Sequence, residues 1–531
     1  MIKRQRKKTK SRMKYAAVLL AASLTLAGCD KSMVGSEIPE ENTASVPVTP
    51  QESAENPTQV PQEPNQPVDW APVLSIETVE LKLDWRDTDE GIVPWVKCRY
   101  PKIKINGEGY DIVSSTVDAW FEEKAKECEE VMQEFADLAD ATITEKNTDR
   151  YFVLLDADCT RMDSSVISFR MHYYEDAADD APKSFCYGGN FNVSTGQMLE
   201  LKDILTDEEG FQEKAKEYLL QYLQENYNGQ ILAYYEEFIQ NYYFTEDAPR
   251  WCLDAGGIRF LFPPITLSSY EVDSIEVTVP YEEVTEYMEE AYCGFCGTGM
   301  AAVPLDVDMP VNLSETGVTK DTIRIGQGTA SDEIYFQING KTLETDDESE
   351  WLMSCYLIRQ ANGKSYLLFD TEYSEASWMT FLYEVTGGEF RKASEPVAGM
   401  IAAANANSVQ LKQTIEVLGT YWPKVWFSIE ETGELAQQEF LYHIEPEDYN
   451  YLTLKKDLPI DHWGSQEILY EGNSLWIIAT DNEGTAWFLT LPMYQEAKSV
   501  EGEIHYTRQD GMIIIDGLSE YEYFDSIPYS G

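Results

Sequence analysis

Residues 184–205 read SFCYGGNFNVSTGQMLELKDIL, and the fold class turns on how that stretch ends. Phe185–Val193 is rich in aromatic and β-branched side chains and is closed by Ser194-Thr195-Gly196, the pattern of a strand running into a turn. Just beyond it, Thr206-Asp207-Glu208-Glu209 has the form of a capping box, and Phe211, Ala215, Leu219, Tyr222 and Leu223 recur at helical spacing. A two-residue period thus gives way to a 3.6-residue one within a single supersecondary unit. Working outward, further strands are expected at Leu74–Leu83, Trp95–Ile105, Tyr151–Ala157, Ser165–Tyr174, Gly257–Phe262 and Ser274–Val279. A long helix is expected from Val113, Val117, Trp120, Phe121, Ala125, Cys128, Met132, Phe135 and Leu138, and a third helix around Ile231–Tyr242. Mixed hairpin and helix signals of this kind predict an α+β domain over 71–299, an antiparallel sheet packed with helices from about residue 75.

The run 184–205, the helix pair after it, and GGIRFLFPPITLSSYEVDSIEVTVPYEEV (256–284) together resemble the extracytoplasmic family known as domain-of-unknown-function 3298. YPKIKI (100–105) and SFRMHYY (168–174) are similar to its usual neighbour, family 4163, so the resemblance covers 75–290. Members occur in an anti-sigma factor that senses lysozyme and beside peptidoglycan deacetylases, which implies a binding or sensing module at the cell wall. The chain departs from the family pattern after Gly188-Gly189, where Asn190-Phe191 replaces the Ala-His-Gly of many members.

After Gly299 the texture changes to strand, polar turn, strand, as in SYLLFDTEYSEASWMTFLYEV (365–385) and SLWIIATDNEGTAWFLTLPMY (474–494). These two align without gaps, Trp378 falling on Trp487. A β-rich domain over 300–450 is expected, built of propeller-like hairpins or small barrels. The last part, 451–531, resembles an SH3-like barrel.

The N-terminus states an address. MIKRQRKKTKSRMKY carries eight basic residues and no acidic one, and the short apolar run after it ends at Leu26-Ala27-Gly28-Cys29. This resembles a bacterial lipoprotein signal over 1–28, which implies cleavage before Cys29 and lipidation of its thiol. The predicted location is extracytoplasmic, with the chain held to the membrane by a lipid anchor at Cys29. Residues 29–70, rich in Pro, Glu and Gln, cannot bury enough apolar surface to offset ordering and are predicted to be a disordered stalk.

Ninety-four Asp and Glu against 40 Lys and Arg give a net charge of −54, and loss of the eight basic residues in 1–28 makes it −62. Such a chain repels nucleic acid, so no nucleic-acid partner is expected. It attracts basic proteins by steering, an attraction that salt screens. A basic protein is therefore an expected partner besides the membrane, and the family resemblance implies a cell-wall fragment as the other.

Motifs for catalysis are missing. H-E-x-x-H, G-x-S-x-G, the Walker A loop and G-x-G-x-x-G do not occur, and His172, His443, His462 and His505 are scattered. Asp156, Asp158 and Asp163, like Asp84, Asp87, Asp89 and Glu90, do not fit the spacing of a calcium loop and read as solvated acidic residues. No catalytic residue, metal or cofactor is expected, and a non-enzymatic binding module is the favoured reading. An envelope enzyme acting on peptidoglycan and a structural envelope lipoprotein are the alternatives. Aromatic rings that could stack on sugars are expected at Trp251, Tyr270, Trp378 and Trp487.

Besides Cys29, the cysteines are Cys98, Cys128, Cys159, Cys186, Cys252, Cys293, Cys296 and Cys355. An even number in an exported chain permits disulfides, with a connectivity that spacing does not reveal. Cys293-Gly294-Phe295-Cys296 follows a helical stretch, YEEVTEYMEEAY (281–292), instead of opening one. The helix dipole and nearby glutamates both disfavour a thiolate there, so the pair reads as a clip at a domain boundary.

Overall fold

The structure, a computed structural model, describes residues 72–88, 91–141, 151–177, 182–227, 230–245, 250–264, 266–267, 274–295, 297–313, 321–327, 334–343, 351–374, 377–446, 450–462, 464–490 and 499–529. The expected signal segment, the expected stalk with Cys29, Tyr270 and Cys296 lie outside the described residues.

Every strand expected before residue 299 is present. β1 (Val73–Thr88) and β2 (Gly91–Asn106) form a long antiparallel hairpin, paired from Val73↔Asn106 to Thr88↔Gly91. β3 (Tyr151–Asp163), β4 (Val166–Ala177) and β5 (Lys183–Asn192) form an antiparallel meander. β3 joins β2 in parallel, from Val96↔Tyr151 to Arg99↔Leu154. Parallel neighbours require a crossover, and α1 (Asp111–Ala141) supplies it. Its Val113, Val117, Phe121, Cys128, Met132 and Phe135 are buried in the core of this sheet, as their spacing predicts, whereas Leu138 lies off that face and is 48% exposed.

The capping box expected at Thr206 is displaced. α2 (Glu208–Asn226) is capped one residue later by Asp207, whose Oδ1 accepts from the Gly210 N–H at 3.1 Å. A reciprocal capping box sits earlier, around the short turn Leu201–Ile204, where the Glu200 N–H donates to Asp203 at 2.9 Å. α3 (Tyr235–Asn241) is shorter than expected. These helices share a second core with a small antiparallel sheet of β6 (Trp251–Leu253), β7 (Gly257–Phe262) and β8 (Ile275–Pro280). All residues of β7 and β8 are buried, Arg259 and Glu276 among them.

The boundary expected at 299/300 does not divide the molecule's main sheet. β9 (Gly299–Ala302) pairs with β3 at Met162↔Met300. After the meander β10 (Met309–Val311), β11 (Asp321–Gln327), β12 (Ile334–Ile338) and β13 (Lys341–Leu343), the chain returns to the main sheet. There β14 (Trp351–Arg359) pairs with β9 and is followed by β15 (Ser365–Ser374) and β16 (Ser377–Glu384). On the far side, the strand Met400–Ala404 pairs with β1 at Leu74↔Ala404. Among the described residues the main sheet has fifteen strands, drawn from both expected domains. Hairpin sequences set their own register, but not the strands their outer edges will meet.

The C-terminal part has a seven-stranded and a three-stranded sheet around Leu452, Leu475, Phe488, Ile504 and Phe524. The hairpin 365–385 is built into the long sheet that also holds β1, β2 and β3, whereas 474–494 belongs to the seven-stranded sheet, so the two are not repeats of one four-stranded blade. Among the described residues the sheets are open, without a closed barrel, so the expectation of small barrels, SH3-like or otherwise, gives way to open sheets.

Candidate functional site

A pocket of about 390 Å³ opens where β3, β4, β7 and β8 meet β9 and β14. Its charged wall comes from four strands. Asp158 of β3 lies directly across from Arg170 of β4, and Arg259 and Glu276 project from β7 and β8. Arg170 donates through Nε to Glu276 at 2.5 Å and through Nη1 to Asp158 at 3.0 Å. Arg259 donates to Glu276 at 3.4 Å and, through Nε, to Asp254 at 2.9 Å. Two guanidinium groups and three carboxylates are thereby held in one fixed array, carrying a net charge of −1.

The electrostatics follow from burial and pairing. Burial alone would raise the Glu276 carboxyl, but Arg170 and Arg259 outweigh it and hold it below the usual carboxylate value. At Asp254 burial prevails over Arg259, and its carboxyl is pushed upward. Only Asp158 and Arg170 reach solvent, at 53% and 21% side-chain exposure. These two are the groups a ligand can touch.

The opposite wall is apolar. Leu352 and Met353 of β14, Leu305 after β9 and Ile76 of β1 line it, with Met353 50% and Leu305 49% exposed at the mouth. Next door, Trp351 is 49% exposed. Large apolar side chains exposed beside a recess of paired charge form a surface suited to a partner with polar and apolar parts.

Behind the pocket, the Ser354 hydroxyl donates to Asp370, whose other oxygen accepts from the Ile401 N–H at 2.9 Å. Asp370 is 1% exposed, and burial pushes its carboxyl up to about 6. The folded chain therefore holds this proton to higher pH than the unfolded chain, where a carboxyl titrates near about 3.9. Its contribution to stability is complete below about pH 4 and is lost as pH rises through about 6. Asp370→Asn is expected to remove that loss, on the order of 2 kcal/mol, from the difference between pH 4 and pH 8. Urea midpoints of both proteins across this range check it, and parallel profiles would contradict it.

A second buried charge cluster lies beside the C-x-x-C segment. Arg161 is fully buried and donates through Nε to Asp163 at 2.8 Å, and through Nη1 to the Tyr281 hydroxyl at 2.9 Å and the Tyr292 carbonyl at 2.7 Å. Its Nη2 reaches the Ala291 carbonyl at 3.4 Å and the Gly294 carbonyl. The turn leading into Cys293-Gly294 is thus fixed by one guanidinium group. Cys293 itself is half-buried, and burial raises its thiol.

No family model matches the chain, and no curated protein matches it either. The chain is similar to two solved structures of the domain-of-unknown-function 3298 family. One, from Pseudomonas aeruginosa, is 13% identical over 42% of this chain and 96% of that chain, with a TM-score of 0.32. The other, from Bacteroides fragilis, is 12% identical over 41% of this chain and 94% of that chain, with a TM-score of 0.30.

The expected stacking residues do not come together. Trp251 is buried in the second core, 7% exposed, and its carbonyl accepts from Asn190 at 3.3 Å, so its indole is a packing group. Trp378 is partly exposed on β16, and Trp487, on the strand Thr485–Thr490, donates to Glu503 at 3.1 Å. Asp156, Asp158 and Asp163 lie along β3 instead of a solvated loop: Asp156 meets Arg99 at 3.1 Å, and Asp163 is buried on Arg161. The seven described cysteines are free thiols, six of them buried. Among the described residues no group of three or more His, Cys, Asp or Glu side chains is placed to hold a metal ion, and no helix is long and apolar enough to cross a membrane. Sequence reasoning missed Arg170, Arg259 and Glu276. Their one visible signal was a charged residue inside each of three otherwise apolar strand runs.

Proposed function

We propose that this chain is an extracytoplasmic lipoprotein, anchored through Cys29, whose pocket binds a fragment of the cell wall. The observation that carries this reading is the pairing of Asp158 and Arg170 at the pocket surface, opposite the exposed Leu305 and Met353. A wall stem peptide offers the complement: free amines for Asp158, carboxylates for Arg170, and aliphatic side chains for the apolar lip. The charged wall is ordered before binding because each group is already hydrogen-bonded, so little ordering cost falls on association. The chemistry asked of the pocket is recognition, and an enzyme of the envelope remains the alternative.

Titration calorimetry with soluble muropeptides tests the reading. Saturable binding is expected, weakened at least about tenfold by Met353→Glu, which places a charge on the apolar lip. Met353 is exposed, so the variant's urea midpoint should stay within about 0.5 kcal/mol of the parent. Asp158→Asn should weaken amine-bearing muropeptides more than their N-acetylated forms. Equal binding by all variants would reject the pocket as the site.

A second reading rests on the charge of −54, which favours a cationic protein partner. It requires association with lysozyme that survives high salt. An attraction that vanishes there is steering alone.

A further inference from the structure

We propose that the pocket selects one chemical feature of its ligand: an α-amino-acid head, with an ammonium and a carboxylate on the same carbon, carried at the end of an aliphatic chain. The inference deepens the pocket reading above and rests on it. Arg170 carries five N–H donors. Its bonds engage Nε with Glu276, Nη1 with Asp158 and Nη2 again with Glu276, the last at 2.5 Å. One N–H is therefore left on each terminal nitrogen. Asp158 gives Oδ2 to Arg170, and its Oδ1 accepts no bond among the described residues. Open donors and an open acceptor thus stand side by side, Asp158 directly across from Arg170 in the pairing of β3 with β4.

The inner charges hold this pair in place. Glu276, buried at 7% side-chain exposure, is shared between Arg170 and Arg259, and Arg259 is tied in turn to the fully buried Asp254. Arg170 is anchored on its inner side, so the distance between the two charges that a ligand must match is set by the protein before binding.

The exposed pair is neutral as a whole, and it discriminates in both directions. A bare amine on Asp158 brings a second cation against Arg170, and a bare carboxylate on Arg170 brings a second anion against Asp158. A ligand with both charges on one carbon answers both groups without placing like charges together. That compact head suits a pair whose own charged atoms are 3.0 Å apart. Across the recess, Leu305 and Met353 offer apolar surface to the methylenes behind the head. In wall stem peptides a diaminopimelate side chain ends in such a head, whereas a lysine side chain at the same position ends in an amine alone.

Titration calorimetry of the full chain with synthetic stem peptides, alike except at that side chain, tests the inference. One peptide carries diaminopimelate, one carries diaminopimelate with the carboxyl of the head amidated, one has the amine of the head acetylated, and one carries lysine. The unmodified head is expected to bind at least about tenfold tighter than each of the other three. The ligand is varied and the protein is not, so no folding defect enters the comparison. Asp158→Asn supplies the protein side: acetylating the head should cost this variant little, while amidating it should still cost affinity. Equal binding of all four peptides, or a preference for lysine, overturns the head, and continued weakening of all four by Met353→Glu would leave the wall-fragment reading standing. Free norleucine, the same head on a plain aliphatic chain, separates the sources. Norleucine bound as tightly as the diaminopimelate peptide upholds the head and counts against the wall fragment. Binding by neither norleucine nor any peptide overturns both.

Discussion

Arg161→Ala is expected to destabilise the protein by about 3–5 kcal/mol, the cost of leaving a buried ion partner and several hydrogen-bond acceptors without their cation. The side chain is fully buried. It satisfies Asp163, the Tyr281 hydroxyl and the carbonyls at Tyr292, Ala291 and Gly294, drawing together β3, the turn after β8 and the approach to Cys293. Burial disfavours its charge, yet Tyr281 and Asp163 outweigh that penalty and keep it protonated. Arg161→Lys should recover only a small part of the loss, because an ammonium cannot present donors in the planar fork that these acceptors surround. Urea unfolding of the three proteins measures both statements. A loss under about 1 kcal/mol for Arg161→Ala would show that the cluster relaxes or fills with water.

Gly188→Ala is expected to cost about 3 kcal/mol or more, although it adds one methyl group to a strand. A Cβ on Gly188 would stand 1.7 Å from the Trp251 carbonyl oxygen and 2.5 Å from its carbon, and backbone cannot swing aside as a side-chain tip can. β5 and β6 would have to separate. That separation also opens the bridge made by Asn190, whose side chain accepts from the Leu253 N–H at 2.8 Å and donates to the Trp251 carbonyl. At Gly189 the obstacle is the Trp120 ring, which a Cβ would approach to 2.4 Å, so Gly189→Ala pushes on a side chain and should cost less. Equal destabilisation by the two would mean that the strand contact is not set by backbone.

These residues also show what the sequence could and could not convey. In the sequence, Gly188-Gly189 marked only the point where Asn190-Phe191 departs from the pattern of the resembled family. Only the fold brings Trp251, distant in sequence, against both. Periodic segments were legible because their signal is local: β3, β4, β5, β7 and β8 lie where β-branched and aromatic residues cluster, and α1 follows its apolar spacing. The cap of α2 moved by one residue: Asp207, whose carboxylate accepts from the Gly210 N–H, takes the place expected for Thr206. Sheet order was not legible. β9 and β14 join β3 through edge pairings that depend on which backbones are left unpaired, so the main sheet takes strands from both sides of the division at 299/300 that texture suggested. The pocket was hidden for the same reason. Arg170, Arg259, Glu276 and Met353 share no local pattern, and a charge inside an apolar strand reveals a buried partner without identifying it.

The central claim is that the recess between Asp158–Arg170 and the lip of Leu305 and Met353 is where a wall fragment binds. Hydrogen exchange of the chain with and without soluble muropeptides, read by mass spectrometry at saturating ligand, tests it most directly. Slowed exchange is expected in 302–307, in β14 around 352–356 and in β3 around 158–160, with the C-terminal sheets unchanged. Protection confined to the C-terminal sheets, or none at ligand concentrations that saturate calorimetric binding, would contradict it.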